Sequence, residues 1–288
     1  MRVGWALLGV SVAGCSLFTS LDGLSGGDDT GSISDAATPG DTNADAVTDS
    51  SGAFCDGGTC DAGCTGLPGP TMVSIGSACI DSTEVTYAQY RDFMDAAASS
   101  PTTFPQPTEC TWNTSFTPSQ GFTSTDLPYP AAYVNWCDAH AYCEWAGKEL
   151  CGSFDGGATR PNGWTDPNAS IWMNACTKGG LQNYPYGTTY QPDVCNVGQG
   201  DAASSATPAG SIATCVGGYP GLFDMIGNIK EWENLCAPSG GDPSQDQCRR
   251  RGSGFDEVDS VDTNCAWDET DTRDHTSYTT GFRCCKRP

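Results

Sequence analysis

Twelve residues, Gly221-Leu222-Phe223-Asp224-Met225-Ile226-Gly227-Asn228-Ile229-Lys230-Glu231-Trp232, place two carboxylates on either side of a glycine turn. That arrangement suits a hard cation. Calcium takes roughly six to eight oxygens from carboxylates, amides and backbone carbonyls, and Asp224, Glu231 and the carbonyls of a turn at Gly227 can converge on one such ion. The plainer reading is strand, turn and strand with two solvated acids, and spacing alone leaves both readings open. Soft-metal and redox chemistry has thinner support. The chain holds two histidines, His140 and His275, too few and too far apart in sequence for a multi-histidine iron site. It has no H-E-x-x-H motif and, across residues 71–288, no G-x-S-x-G elbow.

Other short motifs recur in a definite order. Glu84-Val85-Thr86-Tyr87-Ala88-Gln89-Tyr90 comes first, then Pro130 to Trp136 before a segment ending Trp145-Ala146-Gly147-Lys148. Tyr184-Pro185-Tyr186-Gly187, Cys195-Asn196-Val197, Arg251-Gly252-Ser253-Gly254-Phe255 and Gly281-Phe282-Arg283-Cys284 follow. Together with the twelve-residue stretch, these resemble the landmarks of the formylglycine-generating, or sulfatase-modifying-factor, family over roughly residues 71–287. The resemblance implies an α+β, C-type-lectin-like domain, loop-rich and disulfide-stapled. It also implies two calcium ions that pin irregular loops. One would use the side chains of Asp224 and Glu231 with the carbonyls of Gly227 and Ile229. The other would use the Asn196 side chain, the Val197 carbonyl and the Asp201 carboxylate, with an Asx turn at Asn196 as the plainer alternative.

The same resemblance carries an expectation about activity. Members that oxidise a substrate cysteine use a pair of cysteines, binding copper(I), between the RGGS-like and GFRC-like motifs; soft thiolate pairs suit that ion. Here Ser253 to Arg283 contains one cysteine, Cys265, while Phe255-Asp256-Glu257 stands at the first reactive position and the second falls near Asp262. Cys265 is therefore expected to be half of a structural disulfide and only a weak catalytic candidate, and copper is not expected. Two functions remain: a calcium-stabilised binding or envelope domain without the oxidase pair, or an oxygen-dependent oxidase of protein cysteines using residues around Cys265, Trp267 and Arg251.

The ends of the chain bound where it works. Residues 1–14 carry one cation, Arg2, and an apolar run too short to span a bilayer, which reads as an export signal. Val12-Ala13-Gly14-Cys15 has the form of a bacterial lipoprotein cleavage site, with Cys15 as the acylated residue; an ordinary secretory signal with a chance cysteine is the alternative. Residues 15–70 are Gly, Ser, Thr, Asp and Ala, with nine Asp, no Glu and no basic residue, a composition expected of a disordered tether. A small cysteine cluster at Cys55, Cys60 and Cys64 could add local order. Expected contacts are thus a membrane, through the lipid anchor, and a protein, peptide or glycan ligand on the periplasm-facing or outer surface. With 13 basic against 35 acidic residues and a net charge of −22, nucleic acid is excluded, because phosphate binding needs a basic surface. Arg249-Arg250-Arg251, the one cationic run, is expected to pair with nearby acids.

The elements that must position these groups are short. Thr86 with Gln89 forms a capping box for a helix carrying Tyr90, Phe93, Met94 and Ala97 on one stripe. Asn135 caps a second helix, with Trp136, Ala139, Cys143 and Ala146 on one face and Gly147 as its stop. Ile171 to Cys176 suggests a third, ending at Gly179-Gly180, and elsewhere frequent Gly and Pro leave brief strands, such as Met72 to Ile75. Seventeen cysteines in an exported chain imply disulfides. Thirteen lie in residues 71–288, an odd number, so complete pairing requires a bond to residues 15–70. Cys284 and Cys285 should take different partners, Cys137 and Cys143 should not bond to each other, and Cys236 with Cys248 is a plausible short-loop pair.

Overall fold

The computed structural model describes residues 63–99, 104, 106–198, 205–258 and 260–287, with the backbone of 55–56 and 59–60. The expected signal, Cys15, most of the tether and Asp201 lie outside the described residues. The strands and helices are β1 (Cys55–Asp56), β2 (Thr59–Cys60), β3 (Met72–Ile75), β4 (Ala78–Asp81), α1 (Tyr87–Ser99), α2 (Trp136–Trp145), β5 (Glu149–Leu150), α3 (Ile171–Thr177), β6 (Lys230–Ala237), β7 (Gln247–Arg251), β8 (Asp268–Thr272), β9 (Thr280–Phe282) and β10 (Cys284–Lys286). They form a β1-β2 hairpin and two four-stranded sheets, β3-β4-β10-β5 and β8-β7-β6-β9. All pairings are antiparallel except β6 with β9, which sets Glu231 beside Gly281. None of the described helices is long and apolar enough to cross a membrane.

Local chemistry starts each helix where the sequence places it. At α1 the Thr86 amide donates to Gln89 Oε1 at 2.9 Å and the Gln89 amide to Thr86 Oγ1 at 3.4 Å. At α2 the Asp138 amide donates to Asn135 Oδ1 and the Asn135 amide to Asp138 Oδ2, both at 3.0 Å. Gly147 ends α2 with φ 69°. Tyr90, Phe93, Ala139, Tyr142 and Cys143 are buried between the two helices and Phe282 of β9, with the Tyr90, Phe93 and Tyr142 rings in mutual contact. A second apolar cluster gathers Ile75, Ile80, Trp172, Leu222 and Ile226 under α3 and β4.

Seven disulfides staple these layers among the described residues: 64–79, 110–137, 143–284, 151–285, 176–265, 195–215 and 236–248. The odd cysteine finds its partner across the expected boundary, in Cys64–Cys79. Cys284 and Cys285 face opposite sides of β10, and this is why one reaches Cys143 of α2 and the other Cys151 after β5. Arg249, Arg250 and Arg251 lie along β7 and are consumed by ion pairs to Asp268, to Glu269 and Asp271, and to Glu233.

Candidate functional site

The twelve-residue stretch is a tight turn feeding β6. Asp224, Gly227 and Asn228 have φ of 55°, 76° and 59°, a left-handed backbone that glycine adopts freely and Asp or Asn tolerate. Gly227 is further required because a Cβ there would lie 2.7 Å from the Asn196 carbonyl oxygen. Winding the chain this way turns Asp224, Asn228 and Glu231 inward, leaving each at most 1% exposed. The reading with two solvated acids is thereby corrected, since water does not reach either carboxylate.

Each inward group has a defined partner. Glu231 receives Arg283 Nε at 2.9 and 2.8 Å, Arg283 Nη2 at 2.7 Å and the Trp172 indole at 2.8 Å. Arg283 also donates to the carbonyls of Asp81, Phe223 and Asp224. Asn228 is a hub: its amide donates to Glu84 Oε1 and the Thr207 carbonyl, and its oxygen accepts from the Thr207 amide and the Asn196 side chain. Asn196 donates to the Ser205 carbonyl as well, so its side chain clasps two loops together. Asp224 Oδ2 accepts from the Gly210 amide at 2.7 Å.

Among the described residues no donor reaches Asp224 Oδ1 or Glu84 Oε2, both buried in this site. Burial, with Glu231 close by, pushes Asp224 up to about 6, and burial, with Asp224 close by, holds Glu84 well above the ordinary carboxyl range. One proton held between them would satisfy both, and so would a cation. The donor chemistry suits a hard ion at Asp224 and Glu84, and the Gly227 and Ile229 carbonyls accept no hydrogen bond from a described residue. Glu231 enters such a shell only by sharing oxygens already held by Arg283. The described residues contain no ready cluster of three or more His, Cys, Asp or Glu ligands. Of the second expected set, Asn196 and Val197 sit against the Gly227 turn, so the two sets are neighbours.

The interval expected to carry redox chemistry is filled differently. Cys265 is fully buried and bonded to Cys176, and its carbonyl accepts from Arg251 Nη2 at 2.8 Å. Asp256 and Glu257 close on Lys230 Nζ at 3.2 and 2.6 Å, with Glu269 at 3.3 Å and the Trp267 ring 5.5 Å away. Asp262 is exposed. Phe255 faces an open cavity of about 360 Å³, walled by Tyr87 and Phe122 on one side and by Tyr133 and Tyr278 near Phe255. His140 stacks on Trp136 in α2, and His275 pairs with Asp271 at 3.2 Å. These two imidazoles serve separate neighbourhoods.

The sequence placed Glu84, Asn228 and Arg283 in landmark motifs and Trp172 only within the third helix, yet these hold the carboxylates in place. A signal existed for Arg283, a guanidinium between Phe282 and Cys284 in a segment otherwise bound for the interior. The chain is 29% identical to the formylglycine-generating enzyme of Mus musculus over 54% of its length and 44% of the relative's. It is 32% identical to the inactive C-alpha-formylglycine-generating enzyme 2 of Bos taurus over 55% of its length and 50% of the relative's. It thus matches half or less of these two relatives. The crystal structure of CarF superposes with a TM-score of 0.50 at 18% identity, covering 77% of this chain and 97% of that one, a likeness of fold. A family model, the sulfatase-modifying factor enzyme 1-like domain, matches residues 36–288, and the chain belongs to that family.

Proposed function

We propose that this protein is a binding member of the family without the copper–cysteine oxidase, held at a membrane through lipid on Cys15 and stabilised by calcium. The observation that carries the reading is the Cys176–Cys265 bond. The single cysteine of the interval is locked in a fully buried disulfide, while Phe255, Asp256 and Glu257 serve as a cavity wall and as partners of Lys230. One thiol engaged in a disulfide offers no thiolate pair to a soft metal. The cavity between Tyr87 and Tyr278 is the surface we assign to a peptide or glycan ligand, since amphipathic aromatic rings present large contact area at low entropic cost.

Copper(I) titration of the oxidised protein tests this, and no tight stoichiometric binding is expected, with no oxygen uptake alongside a cysteine-containing peptide. Tight binding that is lost in Cys265→Ser would restore the oxidase reading. On peptide and glycan arrays, Tyr278→Ala should lose whatever the wild type retains, because Tyr278 is 55% exposed and contributes little to the core.

Calcium is proposed to replace the proton between Asp224 and Glu84, drawing on the Gly227 and Ile229 carbonyls and on Glu231. A ligand that binds only the folded state stabilises it by about 2.7 kcal/mol at a hundred times its dissociation constant. Thermal unfolding should therefore shift upward with calcium and back with chelator in the wild type, and not in Asp224→Ala. A midpoint indifferent to both would rule the ion out.

A further inference from the structure

The walls of the 360 Å³ cavity narrow what it can hold. Six of its lining residues are aromatic: Tyr87, Phe122, Tyr129, Tyr133, Phe255 and Tyr278. Tyr87 and Phe122 stack at 4.6 Å, while Tyr278 lies tilted against Phe255 at 5.8 Å and against Tyr133 at 6.5 Å, so the second wall is a cup of rings and not a flat platform. Tyr133 is held at φ 59°, a left-handed backbone that costs a bulky residue and that gathers at functional sites. Its amide donates to the Ser277 carbonyl and its carbonyl accepts from the Ser119 amide, both at 2.9 Å, which keeps the ring at the cavity.

Among the described lining residues Asp126 alone is charged. Its Oδ2 accepts from the Thr123 amide and hydroxyl at 2.7 and 2.9 Å, and no described residue donates to its other oxygen. Burial, with Tyr133 and Asp126 close by, pushes the Tyr87 hydroxyl up to about 12, so that ring is neutral. Every basic residue of the chain except Arg2 lies among the described residues, and none lines the cavity. Beside Phe255, moreover, three acids, Asp256, Glu257 and Glu269, converge on Lys230.

We propose that this cavity takes an alkylammonium group, seated among the aromatic rings with Asp126 as its counter-charge; the proposal rests on the cavity being a ligand site at all. A cation is attracted to a ring face within about 6 Å of its centroid, and the spacing of Tyr133, Phe255 and Tyr278 lets one cation engage more than one of them. An anion meets the carboxylate and the negative ring faces. A sugar would set most of its hydroxyls against rings, because beyond the phenols only Asp126 and Ser205 offer hydrogen-bonding side chains, and unpaired hydroxyls are costly. A neutral apolar group would strip water from Asp126 and return nothing.

The test is saturation-transfer NMR on the full chain with its disulfides formed. Protein aromatic protons are irradiated, and the methyl signal of tetramethylammonium is read against that of tert-butanol, which has a similar shape and no charge. Transfer to tetramethylammonium should be saturable, and transfer to tert-butanol much weaker. Tyr278→Ala, at an exposed position, should lower the affinity by roughly two- to fivefold, the range for a cation over an exposed ring. Asp126→Asn, which keeps an acceptor for Thr123, should lower it by about fivefold at low salt. Nα-acetyl-lysine amide decides the source: competition at similar concentration assigns the site to a side chain on a peptide, and its lack to a free quaternary amine. Equal transfer to tert-butanol, no saturable transfer to tetramethylammonium, or full affinity in both variants would overturn the inference. The underlying binding reading fails separately, if the arrays retain nothing or if Tyr278→Ala loses nothing there.

Discussion

Replacing Arg283 by methionine is expected to destabilise the oxidised domain by at least about 3–5 kcal/mol, the range for removing one partner of a buried ion pair. Arg283 is fully buried, and its donors reach both oxygens of Glu231 and three backbone carbonyls. Without it, Glu231 loses its charged partner in a water-free space it shares with Asp224 and Glu84, and the Asp81, Phe223 and Asp224 carbonyls lose a donor. Trp172 still donates to Glu231, which does not compensate a charge. Arg283→Lys should fall between, because an ammonium restores charge but not the planar fork. Urea unfolding at constant slope measures both. The methionine variant's deficit should narrow on acidification, since protons can then neutralise the stranded carboxyls. A loss under about 1 kcal/mol, typical of an exposed pair, would show that Glu231 is not held as described.

How much of this was legible follows from how far apart the participants lie in the chain. Thr86 with Gln89 and Asn135 with Asp138 are three residues apart, and both capping boxes form because the contact is decided within one helical turn. Cysteine parity was legible for a different reason: counting needs no geometry, and it required the bond that forms as Cys64–Cys79. The Glu231–Arg283 pair joins β6 to the chain's end, and the Asn228–Glu84 bond spans 144 residues. No periodicity encodes such pairings, so the sequence marked Glu231 and Asp224 as acids near a turn and left their burial unseen. Cys265 lay between these cases. Its disulfide role followed from compartment and composition, whereas its partner, Cys176 on α3, depended on the tertiary fold.

The other large effect is expected at Lys148. Its ammonium lies 2.6 Å from Asp81 Oδ1, with both side chains at 0% exposure, and it donates to the Pro70 carbonyl at 3.1 Å. Asp81 Oδ2 accepts from the Cys284 amide at 2.9 Å, so the pair ties β4 to β10 and to the chain just before β3. Burial raises the Asp81 pKa to about 6 even though Lys148 acts to lower it. Lys148→Met therefore strands a carboxylate whose proton affinity climbs further, and a loss of about 3–5 kcal/mol is expected near neutral pH. The sign of the pH dependence follows from where the protons sit. An acid whose folded pKa lies above its unfolded value of 3.8 favours the folded state most when protonated, and that contribution is lost as pH rises through the folded value. The Lys148→Met deficit should thus be greatest above pH 6 and shrink toward pH 4, while Asp81→Asn/Lys148→Met, which leaves no charge to strand and keeps an acceptor for Cys284, should recover most of it. Denaturant midpoints across that range decide the matter: a pH-independent deficit, or a double variant no better than the single, would mean the loss comes from packing of the lysine stem and not from the stranded charge.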